Sequence, residues 1–224
     1  MKIGIFGGSY CDSNNSNPTQ SWVDIVKSNY DITCYGLSGS SLYYSIQLIN
    51  AFATDFDRCI LVPPGFGRLT IVNDFSKNLE EKDKHISSLA AAEYKWSSTD
   101  DSKLKLIYAA AMDYFTYFYD EDKEYYIHRL MLQDLKNKFS DLLIVPAEVL
   151  IDVSLMESKA LGISSSNFFK YKDMRNCHMT EENNIIFANI IMDYIKVSEF
   201  NLHVDMFVKP TSEKFSLYFG PING

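Results

Sequence analysis

The chain has 224 residues, of which 46% are hydrophobic and 22% are charged. This composition is typical of a folded domain with a buried core, and it excludes an intrinsically disordered chain. The net charge of −8 argues against nucleic acid as a partner, because sites for a phosphate backbone need clustered cations. No apolar run reaches the roughly 20 residues of a membrane-spanning helix, and the glycine-broken N-terminus does not resemble a secretory signal.

The four cysteines are not arranged as a disulfide framework or a metal-binding pair. None of them forms a Cys-x-x-Cys motif, and two of them lie in strand-like runs. We predict that all four are reduced thiols in a protein that folds in the cytosol. They are Cys11, Cys34, Cys59 and Cys177.

The first third of the chain alternates short apolar runs with glycine-bearing breaks. Residues 2–6, 31–35 and 58–62 are predicted strands. A helix that begins near Pro18 is predicted between the first two strands, and a helix from Leu42 between the second and third. The helical spacing rests on apolar residues that recur every three or four positions, namely Trp22, Ile25 and Val26, and then Leu42, Ile46 and Ile49.

This alternation predicts a parallel sheet covered by helices on both faces. The three predicted strands end at Gly7-Gly8, at Gly36 and at Pro63-Pro64-Gly65. In folds of this kind ligands bind at the carboxyl ends of the strands. We therefore expect the functional site at these three breaks.

The second half of the chain is predicted to be mostly helical. Two stripes of apolar residues have helical spacing, and we interpret them as core-facing, with His128 as a packed imidazole. A further strand is predicted over 141–146 and a closing helix over 180–196. The stripes are Leu104, Tyr108, Ala111, Phe115 and Phe118, and then His128, Met131, Leu135 and Phe139.

The last residues change from helical to strand periodicity. Apolar and polar residues alternate over 202–208, and a polar turn leads to a second apolar run over 215–219. We predict an α/β domain over 1–196 and an appended β-hairpin within 197–224. An isolated hairpin is marginal in water, so it must pack on its own domain, on a second copy of the chain or on a partner protein.

Ser9 is the candidate nucleophile. It directly follows the first strand in a Gly-Gly-Ser turn, where its hydroxyl would stand at the edge of the sheet. A serine needs a base, and histidine is the usual one. Of the four histidines, His178 lies just before the closing helix, which places it at a sheet end.

These segments together resemble the SGNH (GDSL-type) hydrolase family. The first family block is similar to Phe6-Gly7-Gly8-Ser9, the second to Leu37-Ser38-Gly39-Ser40, and the last to Cys177-His178-Met179-Thr180. The resemblance covers roughly residues 1–196. It implies a three-layer α/β/α domain with a flavodoxin-like parallel sheet and a serine esterase that needs no cofactor.

In that family scheme Ser9 attacks the ester carbonyl and His178 transfers the proton. The amides of Ser9 and Gly39 form the oxyanion hole. The implied substrate is a carboxylic ester, either a small ester or an acylated carbohydrate that carries O-acetyl groups.

The chain departs from the family pattern at three places. Gly8 replaces the aspartate before the serine, and the third block, residues 62–68, lacks the asparagine of the oxyanion hole. Arg68 is a candidate replacement cation and substrate contact. Arg175 stands where the supporting aspartate is expected, so we assign that role to Asp173, two residues earlier. These departures keep a second interpretation open, a binding or structural protein that retains the fold without efficient catalysis.

Other functional classes fit the sequence poorly. The opening glycines also resemble nucleotidylyltransferases, but residues 10–22 contain no histidine for the triphosphate. The glycine spacing does not match the Gly-x-Gly-x-x-Gly motif of dinucleotide-binding folds. No carboxylate–histidine cluster indicates a metal, and the acidic run 120–122 is interpreted as a helix N-terminus.

Overall fold

The computed structural model describes residues 1–12, 21–65, 67–71, 84–146, 149–150, 179 and 181–208. Strands β1 to β6 span Lys2–Gly7, Asp31–Gly36, Arg58–Val62, Leu69–Thr70, His85–Ile86 and Leu143–Ile144. Helices α1 to α6 span Trp22–Lys27, Leu42–Phe52, Leu89–Ser98, Ser102–Asp113, Glu121–Lys138 and Glu181–Val197. No described helix is both long and apolar enough to cross a bilayer.

The main sheet has four strands in the order β2-β1-β3-β6. Strand β1 runs parallel to β3, with Gly7 opposite Val62, and β3 runs parallel to β6. The burial of nearly every residue of β1 and β3 is typical of a parallel sheet covered on both faces. The order, in which the first strand lies between the second and the third, is that of flavodoxin-like folds. The predicted α/β class with a parallel sheet is confirmed.

The chain divides into two compact units. The first comprises Met1–Asp12 and Thr33–Val145. Its core on one side of the sheet joins Phe6 and Leu61 to Leu135 of α5. A separate apolar cluster joins the β4–β5 pair to α3 and α4 through Ile86, Ala92, Tyr108 and Ala111. Neither this strand pair nor α3 was predicted from the sequence.

The second unit contains α1 and α6. The Trp22 ring packs edge-on against Phe187, with 4.8 Å between ring centroids. The Trp22 amide donates to Oδ1 of Asn184 at 3.0 Å. Helix α1 begins at Trp22 because Ser21 caps it, in a reciprocal capping box with Asp24. The helix was predicted to begin near Pro18, which lies outside the described residues.

The predicted apolar stripe of α4 is correct for Tyr108 and Ala111 but wrong for Phe118, which is 70% exposed. The cause is a π-helical segment at Tyr114–Phe118, where the amide of Tyr119 donates to the carbonyl of Tyr114. A π segment has a wider repeat than an α-helix, so its own residues, Phe118 included, leave the face that α-helical spacing predicts.

The segment after α6 differs from the predicted first hairpin strand. Residues Val204–Met206 form a 3₁₀ turn. The carboxamide of the fully buried Asn183 accepts from the Val208 amide at 2.8 Å and donates to the Val208 carbonyl at 3.0 Å. This side chain takes the place of a neighbouring strand. The buried apolar residues are Leu202 and Phe207, which are five positions apart. Residues on one face of a strand are an even number of positions apart, so this burial does not fit a strand.

The predicted second strand, 215–219, and its turn lie outside the described residues. The boundary at residue 196 and the role of the hairpin in self-assembly or partner binding stay predictions. Truncation after Lys196, followed by light scattering of the folded product, tests the assembly role directly.

Replacement of Asn183 by alanine is expected to release residues 202–208 from α6. The substitution leaves two backbone groups of Val208 without their partner, at a cost of about 1–3 kcal/mol in unfolding free energy. Hydrogen exchange should show faster exchange of the Val208 amide, and urea unfolding should show the lower stability. The control is Asn29→Ala, which removes an exposed carboxamide from the same unit. Unchanged exchange at Val208 in Asn183→Ala would contradict the assignment.

Candidate active site

The turn that carries Ser9 begins at Gly7, the last residue of β1. A Cβ atom on Gly7 would overlap the carbonyl oxygen of Val62 and lie 2.8 Å from Sγ of Cys11. Glycine therefore allows the ends of β1 and β3 to approach closely. The following turn is closed by bonds from the Cys11 amide to the Gly8 carbonyl at 3.0 Å and from the Asp12 amide to the Ser9 carbonyl at 3.3 Å. These bonds hold Ser9, which is half-buried, just beyond the carboxyl end of β1.

The second turn follows β2 and carries Gly39. The Ser40 amide donates to the Leu37 carbonyl at 3.2 Å, and Gly39 has φ +78°. A positive φ at this third position is the signature of a type II turn, which favours glycine. A Cβ on Gly39 would lie 3.8 Å from Cβ of His85, so there is room for a side chain. Glycine is favoured here because of the positive φ and not because of crowding.

The Gly7 carbonyl joins the two turns. It accepts from the Leu37 amide at 3.2 Å and from Oγ of Ser40 at 3.5 Å. The carboxylate of Asp12 accepts from the Ser38 amide at 3.1 Å. Within the part of the chain that the structure describes, the Gly39 amide has no acceptor. Among the described residues, the Gly39 amide is thus a donor of this turn that no acceptor occupies.

The third turn follows β3 and brings Arg68 to the other two. Nη1 of Arg68 donates to the Ser40 carbonyl at 3.2 Å. A Cβ built on Gly8 would lie 3.5 Å from Nη1, and one built on Gly65 would lie 3.4 Å from Nη2. The guanidinium thus lies against residues that follow β1, β2 and β3. The expectation that all three glycine-bearing breaks share one edge of the sheet is correct.

Glycine at position 8 has a steric reason. A Cβ on Gly8 would lie 2.8 Å from Cβ and 3.2 Å from Cα of Pro64. An aspartate at this position would push against the backbone of the β3 turn. Glycine at position 8 and the Pro63-Pro64 turn are therefore matched to each other.

His85 supports the Gly39 turn from behind, a role that the sequence analysis did not predict. The side chain is 2% exposed, and Nδ1 lies 3.1 Å from Oγ1 of Thr70. Thr70 in turn lies 2.8 Å from Oγ of Ser41, which caps α2. The ring also packs edge-on against Tyr44, with 4.9 Å between centroids. These contacts tie the β4–β5 pair to the N-terminus of α2 and thereby fix the turn before it.

His128 lies closer to the strand ends than its sequence position indicated. It was interpreted as a packed imidazole, and it is half-buried in α5, with Nε2 3.0 Å from the Pro64 carbonyl. A carbonyl only accepts, so Nε2 carries the proton and, in the neutral ring, Nδ1 is the basic nitrogen. The position of a helix stripe does not reveal such a contact, because Pro64 is distant in sequence.

Tyr114 and Tyr119, at the end of α4 and just after it, both have raised pKa values. Burial and a 2.8 Å hydrogen bond to Glu124 raise the pKa of Tyr114 to about 12. Burial and the nearby charge of Glu121 raise the pKa of Tyr119, whose ring covers Gly67. Both phenols therefore stay protonated at neutral pH and are unsuited to act as bases.

Two thiols lie near the Ser9 turn, of which Cys11 is buried and Cys34 is half-buried. Burial raises the pKa of Cys11 well above its usual value, and the neighbouring Cys34 adds to this rise. Cys34 donates to the Cys11 carbonyl at 3.1 Å. Cys11, Cys34 and Cys59 are free thiols, as predicted, and Cys177 lies outside the described residues.

Ser9, Gly39 and Arg68 are the predicted site residues that the structure describes, and their turns meet at one edge of the sheet. His178 and Asp173 lie outside the described residues, so their roles stay predictions. Among the described side chains, no three from His, Cys, Asp and Glu come together to hold a metal ion.

Comparison with known proteins gives one distant structural likeness. The chain is similar to a lipase/acylhydrolase from Enterococcus faecalis, with a TM-score of 0.37 and 11% sequence identity over 87% of this chain and 95% of that one. No protein-family model matches the chain, and neither does any curated protein. The fold class therefore rests on the order and register of the strands.

Proposed function

We propose that the protein is a divergent SGNH-type serine esterase that hydrolyses a carboxylic ester. Oγ of Ser9 attacks the ester carbonyl while its proton passes to His178, and the alcohol leaves with that proton. Water then attacks the acyl group on Ser9 while His178 takes a proton from the water, and His178 returns that proton to Oγ of Ser9 as the bond to the acyl group breaks and the acid leaves. Asp173 orients the imidazole, and the amides of Ser9 and Gly39 hold the oxyanion. O-acetyl groups of a carbohydrate are the proposed natural substrate.

The observation that carries this proposal is the junction of the Ser9 and Gly39 turns on the Gly7 carbonyl. The junction brings a half-buried serine and a glycine amide with no acceptor among the described residues to the same edge of the sheet. An acyl-transfer site needs a nucleophile beside a donor for the developing oxyanion. The order of the sequence blocks supports the same chemistry.

A binding protein that retains this fold is the second candidate. Residues 62–68 offer no asparagine donor, and Arg175 stands three residues before His178, where the family has an aspartate. Loss of one oxyanion donor typically costs about 2.7–4 kcal/mol of transition-state stabilisation. This candidate predicts ligand binding at the same edge of the sheet without turnover.

A fluorophosphonate probe separates the two candidates. The probe reacts with activated serines, so we expect labelling of the folded wild type at Ser9, with the site read by mass spectrometry. Ser9→Ala and heat-unfolded protein should not be labelled. A panel of acetyl esters, including acetylated sugars, should be hydrolysed by the labelled wild type. If the folded wild type is neither labelled nor active on the panel, the esterase proposal is wrong.

A further inference from the structure

The guanidinium of Arg68 lies at the meeting point of the three strand-end turns. It donates to the Ser40 carbonyl at 3.2 Å and lies within contact distance of the Gly8 and Gly65 positions. Arg68 is half-buried in a chain whose net charge is −8. The guanidinium therefore lies beside the Ser9 turn, at the carboxyl ends of the strands.

We propose that Arg68 and the Gly39 amide form a binding site for a small oxyanion. The ligand is the tetrahedral oxyanion of the ester in the proposed reaction, or a free anion such as phosphate. The first of these rests on the proposed function, whereas the second does not. A guanidinium presents several N–H groups in a plane and matches oxyanions better than an ammonium does.

Two features of the turn favour this assignment. The bond from Arg68 to the Ser40 carbonyl fixes the residue directly after Gly39, so the guanidinium both orients the turn and adds charge. Asp12 already accepts from the Ser38 amide, which leaves the Gly39 amide as the next donor of the turn.

The site is tested without any turnover, by titration of the protein with inorganic phosphate. Two-dimensional NMR would follow the Gly39 amide, which lies in the well-separated glycine region of the spectrum. We expect a saturable shift of this amide in the wild type. Arg68→Met should weaken binding at least about tenfold, since charge-assisted hydrogen bonds have this strength. Arg68→Lys should fall between the two.

Arg58→Met is the matched control, because it removes the same charge from the start of β3, at the opposite end of that strand. Phosphate binding in Arg58→Met should equal that of the wild type. The proposal is overturned if the Gly39 amide does not shift in the wild type, or if Arg68→Met and Arg68→Lys both bind phosphate as the wild type does. A far-UV spectrum checks that each variant is folded.

Measurements of ester hydrolysis show whether the site holds the oxyanion of the reaction or only a free anion such as phosphate. If the wild type hydrolyses esters, Arg68→Met should lower kcat about 100-fold with little change in KM, as expected for a donor that acts on the transition state. If phosphate binds through Arg68 but no ester is hydrolysed, the oxyanion site stands as a binding site and the esterase proposal fails. If esters are hydrolysed equally by the wild type and Arg68→Met, the transition-state role of Arg68 is refuted.

Discussion

Ester hydrolysis is expected to fall to the uncatalysed background in Ser9→Ala and nearly to it in His178→Ala. The alanine at position 9 removes the atom that forms the acyl bond, and the alanine at position 178 removes the group that carries the proton in both half-reactions. In enzymes with such a pair, loss of either member lowers kcat by roughly 10⁴–10⁶. Initial rates with p-nitrophenyl acetate measure the effect.

The chain offers matched controls for both substitutions. Ser45 is fully buried in α2, and its hydroxyl has no hydrogen-bond partner among the described residues. Ser45→Ala should therefore keep wild-type turnover. His203 is exposed after α6, so His203→Ala should also be active.

Two results would contradict the assignment of roles. Full activity in Ser9→Ala would place the nucleophile elsewhere. Activity that survives in His178→Ala but is lost in His128→Ala would give the role of base to His128, whose contact with the Pro64 carbonyl already places it at the β3 end.

The parallel sheet, and the position of the candidate site at the carboxyl ends of its strands, could be predicted because the sequence patterns that indicate them are local. A buried strand in a parallel sheet is a short apolar run, and β3 at Arg58–Val62 was predicted to the residue. Each strand ended at glycine or proline, and glycine at Gly7 is required by the approach of the neighbouring strand. The carboxyl ends of parallel strands lie at one edge of the sheet, so the sequence alone predicts that Ser9 and Gly39 lie at the same edge.

The contacts that complete the site could not be predicted, because they join residues that are distant in sequence. Arg68 reaches the Ser40 carbonyl across 28 positions, and His128 reaches Pro64 across 64. His85 lies in a stretch of sequence with many charged residues, 80–85, yet it is buried behind Gly39. Burial of a polar residue depends on its partners, in this case Thr70 and Tyr44, and no periodicity reveals them.

The segment after α6 was predicted wrongly for the same reason, because its hydrogen-bond partner is not visible in the local sequence. The alternating pattern over 202–208 favoured a strand, but a strand also needs a neighbour to pair with its backbone groups. Asn183 supplies those hydrogen bonds from a helix. The alternation of apolar and polar residues predicted which residues of 202–208 are apolar. It did not predict that Asn183 would be the partner, and this partner determines the conformation of the segment.

Substitution of Gly7 by alanine is expected to cause a large loss of stability. The new Cβ would overlap the Val62 carbonyl oxygen, a backbone atom that cannot turn aside as a side chain can. It would also press on Sγ of Cys11, which is buried. Relief requires β1 and β3 to move apart, which breaks their parallel pairing at Gly7 and Val62. We expect a loss of about 3–5 kcal/mol in unfolding free energy.

Gly39→Ala is the matched control, because it adds the same methyl group to the neighbouring turn. Its Cβ would have room, 3.8 Å from the nearest side-chain atom, so the cost is the positive φ alone, about 1–2 kcal/mol. Urea unfolding followed by far-UV circular dichroism compares the two. Gly39→Ala should fold with a modestly lower midpoint, whereas Gly7→Ala should unfold at far lower urea or fail to fold. Equal losses in the two variants would show that β1 and β3 do not approach as closely as the Gly7 contact requires. The placement of the Ser9 turn beside the Gly39 turn, which depends on the Gly7 carbonyl, would then also be contradicted.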